Sequence, residues 1–355
     1  MWMTNTSPPA PQSRLAGLDL ARYLAFVGMV IVNFKIAMGA EKGSGMLDLL
    51  SGALEGRAAA TFVVLAGIGV GLAGHKALDQ TVSVSLRRAV FLLAIGLLNM
   101  LIFDADILHY YAFYFLFGVL LLPLQTRVLI WVILGLNLAF VGMVFAFEYD
   151  TGWDWETFAY ADFWTPEGFV RNLFFNGWHP VIPWLGFLLF GIVLSRMALS
   201  ERRVQVALVG LGALALALAE GGSIGLARAL VPLDPEFALL VTTEPVPPMP
   251  LYSLAGCGAA SLVIGLCLML AKPLGKWRVL SLIVPAGRQT LTLYIAHILV
   301  GMGTLESLGM LGGQTTAQAV GAALLFSLGA TVYAYLWSMV FKRGPIEAVM
   351  RRVAG

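Results

Sequence analysis

The octapeptide Asp104-Ala-Asp-Ile-Leu-His-Tyr-Tyr111 joins two long apolar runs, residues 88–103 and 107–124. Each run approaches the length of about 20 apolar residues that a helix needs to cross the hydrocarbon core of a bilayer. Two carboxylates, an imidazole and two phenols therefore meet at one membrane surface. This stretch predicts a membrane-spanning helical bundle with a polar edge.

The rest of the chain has the same apolar character. Hydrophobic residues make up 59% of the 355 positions and charged residues only 12%, about half the charged share of an ordinary soluble domain. We predict an all-α integral membrane protein, a polytopic bundle of about ten transmembrane helices that forms a single domain over residues 1–355. The candidate spans are residues 16–38, 58–75, 88–103, 107–124, 127–147, 180–198, 204–227, 251–271, 280–303 and 316–341.

Charged side chains divide unevenly between the two sides of this bundle. If the N-terminus is cytoplasmic, the inner connections carry Arg14, Lys76, Arg87, Arg88, Arg127, Arg196, Arg202, Arg203, Lys272, Lys276, Arg278, Lys342, Arg343, Arg351 and Arg352. The outer connections then carry Asp104, Asp106, Glu148, Asp150, Asp154, Glu156, Asp162, Glu167, Asp234 and Glu244. The positive-inside rule therefore predicts that both termini are cytoplasmic.

The segments outside the spans are short. We predict that residues 1–13 form a disordered cytoplasmic tail, which lacks the features of a cleaved signal peptide. Residues 342–355 are predicted to form a second cytoplasmic tail. Residues 148–178, rich in tryptophan and acids, predict an outer amphipathic loop that lies in the interface or covers a site. Lys35 and Glu220 are expected to extend toward the lipid headgroups.

Several classes of function have no support in the sequence. A net charge of +2 provides no field that would attract nucleic acid. Cys257 and Cys267 lie about 15 Å apart along one predicted helix, so we expect neither a disulfide nor a metal site. Signatures of nucleotide hydrolysis, metal hydrolysis and serine nucleophiles are absent. The spacing of Gly67 and Gly71 indicates close helix packing.

At the outer edge, three residues are candidates for catalysis. Asp106 and His109 are three residues apart at the start of a helix, so the carboxylate can orient the imidazole or cap the helix. An interfacial tyrosine belt with a capping aspartate would look similar. His179, which precedes Pro180, is expected at the same level as His109.

A second set of ionisable residues is predicted near or within the membrane. Asp19 and Arg22 share a helical face and can pair, and Arg288 is expected at the depth of Asp19, so these groups form either a structural ion pair or an anion site. Arg88 at the start of the third span is a topology signal or a phosphate contact. His297, about 13 Å beyond Arg288 along the ninth span, is a catalytic candidate or an interhelical hydrogen-bonding residue.

Several of these runs resemble the YeiB-like family of bacterial membrane proteins and the wider group of transmembrane acyltransferases that contains heparan-α-glucosaminide N-acetyltransferase. The matching runs are residues 14–34, 56–73, 87–118 with Asp-Ile-Leu-His-Tyr, 179–196, 286–297 with Gly-Arg, and 343–352 with Gly-Pro-Ile-Glu. The resemblance implies a multi-pass protein of the bacterial cytoplasmic membrane.

By this resemblance, an acyl group would pass from cytoplasmic acyl-CoA through the bundle to an acceptor on the extracytoplasmic side. The lysosomal enzymes have a histidine and a nearby tryptophan in the first outer loop. In this chain that loop, residues 39–56, contains neither, so another outer histidine would have to serve.

We therefore expect a membrane acyltransferase with no covalently bound cofactor and acyl-CoA as its co-substrate. His109 or His179 would be the general base, Asp106 would orient it, and His297 is a further catalytic candidate. Arg22, Arg88 and Arg288, with Asp19, would form the CoA phosphate site. The alternative is a non-enzymatic carrier or binding protein for a lipid, quinone or other amphiphile. The sequence leaves the oligomeric state open, a homodimer included.

Overall fold

The computed structural model describes residues 15–40, 43–75 and 78–355. The predicted N-terminal tail, Arg14 and Lys76 lie outside these residues. The described chain is almost entirely helical, with one two-stranded hairpin.

The helices follow one another with short connections. They are α1 (Ala16–Ala37), α2 (Met46–Gly52), α3 (Arg57–Gly74), α4 (Leu78–Asn99), α5 (Leu108–Leu121), α6 (Thr126–Ala146), α7 (Pro166–Arg171), α8 (Val181–Ser195), α9 (Arg202–Leu230), α10 (Pro250–Lys276), α11 (Val279–Arg288), α12 (Thr290–Ala296), α13 (Gly303–Ser307), α14 (Thr316–Val340) and α15 (Pro345–Ala354). Two π-helical turns, Asn172–Asn176 and His297–Met302, a 3-10 segment, Pro235–Val241, and the strands β1 (Trp153–Asp154) and β2 (Ala159–Tyr160) complete the chain.

Each predicted apolar run coincides with a helix, but the helices differ in length. Within the described residues, seven helices are long and apolar enough to cross a membrane, α2 and α3 being counted together. Two bent pairs, Pro166–Asn176 with Val181–Ser195 and Val279–Arg288 with Thr290–Ser307, raise the number to nine. The remaining run, α5, has 14 residues. The structure is therefore that of a multi-pass membrane protein.

The ninth predicted span is broken into two helices, but the break does not lie at Pro285. The α11 helix continues through Pro285 to Arg288, and the chain turns by 73° at Gln289. The Glu347 carboxylate on α15 then accepts hydrogen bonds from the backbone N–H groups of Leu291 (2.8 Å) and Thr292 (3.1 Å). The position of the break is therefore set by a cap from the C-terminal helix.

Glycines allow α3 and α8 to pack closely. A Cβ atom on Gly67 would collide with the backbone of Leu188, and one on Gly71 with the side chain of Ser195. A Cβ atom on Gly69 would meet only the end of the Arg22 side chain, at 3.8 Å. The predicted role of the Gly67 and Gly71 spacing in close helix packing is therefore confirmed.

The two ends of the bundle differ in charge. We call the end that carries Arg88, Arg196, Arg288 and α15 the basic end, and the end that carries residues 148–178 and 232–249 the acidic end. At the basic end the Arg196 guanidinium donates to the carbonyls of Leu122 (3.0 Å) and Leu124 (2.8 Å) and so joins α8 to the connection after α5.

Of the two ionisable side chains that we expected at the headgroups, one is buried and the other forms an ion pair. Lys35 is buried, and its ammonium donates to Ser51 Oγ at 3.0 Å and pairs with Glu55 at 3.1 Å. Glu220 pairs with Arg57. The expectation for Lys35 was wrong, because this side chain has an opposite charge within reach on a neighbouring element.

Candidate functional site

A cavity of about 1200 Å³ lies at the acidic end, and we call it the main cavity. Its walls come from α1, from the chain around α2 and α3, and from the long connections after α6 and α9. Most of the lining side chains are apolar, among them Met29, Leu54, Phe145, Phe237 and Leu240. The cavity is large enough for a small-molecule ligand and has the apolar lining typical of such sites.

The segment that we predicted as the outer amphipathic loop forms one wall of this cavity. The indole rings of Trp153 and Trp155 stack at 4.5 Å, and Trp153 also meets the edge of Trp178 at 5.1 Å. The Asn176 side chain donates to the carbonyls of Tyr149 (2.6 Å) and Thr151 (2.8 Å). The segment is thus held in place by side-chain contacts, and its residues 166–176 form the first half of the bent helix pair that continues into α8.

His179 is the histidine that faces the main cavity. It lies at the break between the π-helical turn and α8, and its ring packs against Trp184 at 4.6 Å and Tyr110 at 5.8 Å. Its carbonyl accepts a hydrogen bond from the Tyr114 hydroxyl at 2.5 Å. The imidazole Nδ1 has no hydrogen-bond partner among the described residues. His179 is therefore held by packing in the wall of the main cavity, with a buried Nδ1 that has no partner among the described residues.

His109 has a different environment. Its side chain is fully buried and stacks on Tyr110 at 3.9 Å, and neither ring nitrogen has a hydrogen-bond partner within the described residues. Its Nδ1 lies 3.5 Å from Asp106 Oδ2, a contact without hydrogen-bond geometry. His109 is not among the described residues that line the main cavity.

Asp106 holds the joint between α4 and α5. One carboxylate oxygen accepts hydrogen bonds from Asn99 Nδ2 (2.7 Å) and the Tyr294 hydroxyl (3.2 Å), and the other from the backbone N–H of Leu108 (2.8 Å). Of the two roles that the sequence left open for Asp106, this geometry favours the helix cap.

His297, the remaining histidine candidate, is buried and lies next to the wall of the main cavity. His297 Nε2 lies 2.9 Å from Asn33 Nδ2, and its Nδ1 contacts the carbonyl of Tyr294. Since Nδ1–H donates to that carbonyl, Nε2 accepts from the Asn33 amide. Asn33 and Tyr294 line the main cavity, whereas His297 lies one residue behind it. This is the interhelical hydrogen-bonding role that the sequence had left open.

The main cavity also contains an ion pair that was not predicted from the sequence. The roles of Lys35, Glu55 and Asn33 became recognisable only once α1 and the chain before α3 were placed side by side. The usable signal was a lysine and an asparagine in the last turns of an apolar helix, since polar groups inside a membrane are functional candidates.

At the basic end, Asp19 gathers two arginines. Asp19 is buried, and its carboxylate accepts from Arg22 at 2.7 Å and from Arg288 at 3.2 Å. The predicted pair of Asp19 with Arg288 is therefore present. The Arg288 side chain keeps 45% of its surface exposed and Arg22 23%.

Arg88 belongs to another part of the basic end. It lies within α4, which packs against α15, the helix that contains Arg351. Arg88 Nε is buried and has no hydrogen-bond partner in the described part of the chain.

Two aspartates in loops at the acidic end have shifted acidities. Partial burial raises the pKa of the Asp104 carboxyl. Hydrogen bonds from the Thr157 side chain and from the backbone N–H of Glu156 hold the pKa of Asp154 below its ordinary value. Asp154 thus keeps its negative charge to lower pH, whereas Asp104 takes up a proton more readily. Residues 15–40, 43–75 and 78–355 contain no group of three or more side chains arranged to hold a metal ion.

Comparison with known proteins gives matches to two family models. Residues 14–226, more than half of the chain, match "Heparan-alpha-glucosaminide N-acetyltransferase, catalytic". Residues 193–355 match "Protein of unknown function (DUF418)", the YeiB-like family. Searches of curated proteins and of solved structures gave no match.

Both halves of the resemblance found in the sequence are therefore confirmed, and the N-terminal match indicates a transmembrane acetyltransferase-like function. The chain belongs to the family of membrane proteins defined by the heparan-alpha-glucosaminide N-acetyltransferase catalytic model, with a YeiB-like C-terminal part.

Proposed function

We propose that the protein transfers an acyl group from acyl-CoA, which binds at the basic end, to an acceptor held in the main cavity at the acidic end. The observation that carries this proposal is His179. Its imidazole lines the main cavity, and its Nδ1 has no partner within the described chain. A neutral imidazole can take the proton of an acceptor group as that group attacks.

The transfer balances as a general-base reaction. The acceptor hydroxyl or amine attacks the thioester carbonyl carbon while the His179 imidazole takes its proton. The carbon–sulfur bond breaks, and CoA leaves as a thiolate that takes up a proton. His179 supplies the outer histidine that the first outer loop lacks. In this proposal it replaces His109, which lies away from the cavity, and Asp106 contributes by holding α5.

For the donor, we propose the exposed faces of Arg22 and Arg288 as contacts for the CoA phosphates. Guanidinium groups bind phosphate oxygens through paired hydrogen bonds. Asp19 pairs with both guanidinium groups and so holds the two arginines side by side. Arg88 would add positive charge to the same end of the bundle.

The orientation in the membrane is part of the proposal. With the basic end in the cytoplasm, both termini are cytoplasmic. Seven long helices, two bent pairs and α5 then make ten crossings, in the cytoplasmic membrane of a bacterium.

One observation favours a second candidate function, a carrier or binding protein for an amphiphile. The main cavity is mostly apolar and could hold such a molecule without chemistry. Loss of a single imidazole would then leave binding largely intact.

The test is acyl transfer by purified protein that is given radiolabelled acetyl-CoA and an extract of bacterial membranes. His179→Asn should lower the transfer rate by roughly 10²- to 10⁴-fold, the usual contribution of a general base. His75→Asn, at an exposed histidine, is the matched control and should leave the rate unchanged. His109→Asn should keep most of the rate per folded molecule.

Two results would count against this assignment. Full turnover by His179→Asn beside an inactive but folded His109→Asn would return the base to His109. Absence of transfer by the wild-type protein, combined with saturable binding of an amphiphile, would favour the carrier.

A further inference from the structure

A second cavity, of about 410 Å³, adjoins the main one, and we call it the side cavity. It lies between the end of α1, the connection from α4 to α5, and the chain from the second π-helical turn into α13. Its lining is mostly apolar and includes Ile102, Phe103, Ile298, Leu299 and Met302.

The two cavities share part of their walls. Ile36, Ala105, Phe158 and Trp178 line both of them. Phe158 is a non-glycine residue with a positive φ of 57°, a conformation that is costly for a bulky side chain. Its ring lies 6.0 Å from that of Trp178. The aromatic pair thus stands where one cavity meets the other.

The side cavity opens on an apolar flank of the bundle. Ile102 is 64% exposed, Leu299 52% and Ile36 39%. These side chains belong to segments that the apolar composition of the chain places in the membrane. A hydrocarbon chain lying in the side cavity would therefore continue into lipid without meeting water.

The charged residues that line the cavities select against an anion. Among the described lining residues, the main cavity has Asp150 and Glu236, and its one lysine, Lys35, is paired with Glu55. The side cavity adds Asp104 and Glu306. A negatively charged group that enters either cavity would meet these like charges at its exposed edge.

We infer that the acceptor is a lipid whose polar head is uncharged or cationic. The lipid enters from the bilayer, places its hydrocarbon chain in the side cavity and passes its head between Phe158 and Trp178 to His179. That this lipid accepts an acyl group rests on the proposed function, whereas its binding in the two cavities does not.

The test therefore measures binding without turnover. Three single-chain probes that differ only in the head group are doxyl-labelled stearylamine, stearic acid methyl ester and stearic acid. The nitroxide label quenches the fluorescence of nearby tryptophans, and Trp155 and Trp178 line the main cavity. We expect saturable quenching by the amine and the ester, and binding of the stearate anion that is weaker by about tenfold or more because like charges repel.

A variant that fills the side cavity provides the second arm. A Cβ atom on Gly303, which lines the side cavity, would meet no atom within 4 Å, and neither would one on Gly329 in α14. Both positions therefore have open space for a Cβ atom. Gly303→Phe should abolish the saturable quenching, whereas Gly329→Phe, the matched control, should preserve it.

Two outcomes would overturn the inference. One is tighter binding of the anionic probe than of the amine. The other is equal quenching in Gly303→Phe and Gly329→Phe. If acetyl transfer fails while the probes bind as described, the lipid site stands and the proposed enzyme is rejected. Transfer to a water-soluble acceptor with no probe binding would reject the lipid site alone.

Discussion

At the scale of single residues, Asp106 shows how a polar group is kept in an apolar bundle. Its two oxygens accept hydrogen bonds from Asn99, Tyr294 and the backbone of Leu108. All of these partners except Tyr294 lie close to Asp106 in sequence. The carboxylate therefore joins α12 to the connection between α4 and α5.

Asp106→Ala should lower the stability of the protein. Each buried donor left without an acceptor costs roughly 1–3 kcal/mol, so we expect a total loss of at least about 2 kcal/mol. Asp104→Ala, two residues away in the same connection, should change stability by less than about 0.5 kcal/mol. Thermal unfolding of the two purified variants in detergent measures the difference. Equal melting temperatures would show that Asp106 is not the anchor of this joint.

The sequence predicted which residues carry charge and hydrogen-bonding groups, but not all of their partners. The spacing of Asp19 and Arg22 on one helix correctly indicated a pair, and the depth of Arg288 indicated the third member. Hydrogen bonds such as that between Asn33 and His297, 264 positions apart, depend on how α1 lies against the ninth span. No local pattern contains that information.

At the scale of elements, glycines decide how closely helices approach. Gly67 and Gly71 face α8, while Gly69, on the same helix, faces the end of the Arg22 side chain. In a membrane, close van der Waals packing of this kind holds helices together, because the hydrophobic effect does not.

Gly67→Ala should therefore separate α3 from α8 and destabilise the protein by about 1–3 kcal/mol, the usual cost of overpacking. Gly69→Ala should be tolerated, because its Cβ meets only a flexible side chain. The midpoint of thermal unfolding in detergent compares the two variants directly. A larger loss for Gly69→Ala than for Gly67→Ala would contradict the packing described.

Helix positions were predictable because apolar runs of spanning length are unambiguous, but the bends were not. The turn at Gln289 depends on Glu347, more than 50 residues later, which caps the new helix. The turn before α8 likewise brings residues 166–176 into a helix pair, in a segment that we predicted as an interfacial loop. A cap supplied by a distant residue leaves no mark in the local sequence.

At the scale of the whole molecule, the proposed function depends on the difference between the two ends. The basic end gathers Arg22 and Arg288 around Asp19, and the acidic end contains the cavity with His179. Composition alone predicted the membrane class. The division of charge predicted the two ends, because lysine and arginine are retained on the cytoplasmic side. The cavity itself could not be predicted, since its walls come from segments far apart in the chain.

Acetyl transfer across sealed membranes tests the central claim most directly. Radiolabelled acetyl-CoA, which does not cross a bilayer, is supplied outside inverted membrane vesicles, outside right-side-out vesicles, and outside right-side-out vesicles made permeable. We expect label in the membrane extract of the inverted and the permeable vesicles only, and none with His179→Asn. Equal labelling of intact right-side-out vesicles, or full labelling with His179→Asn, would contradict the claim that the protein binds acyl-CoA at its basic end and transfers the acyl group in the main cavity.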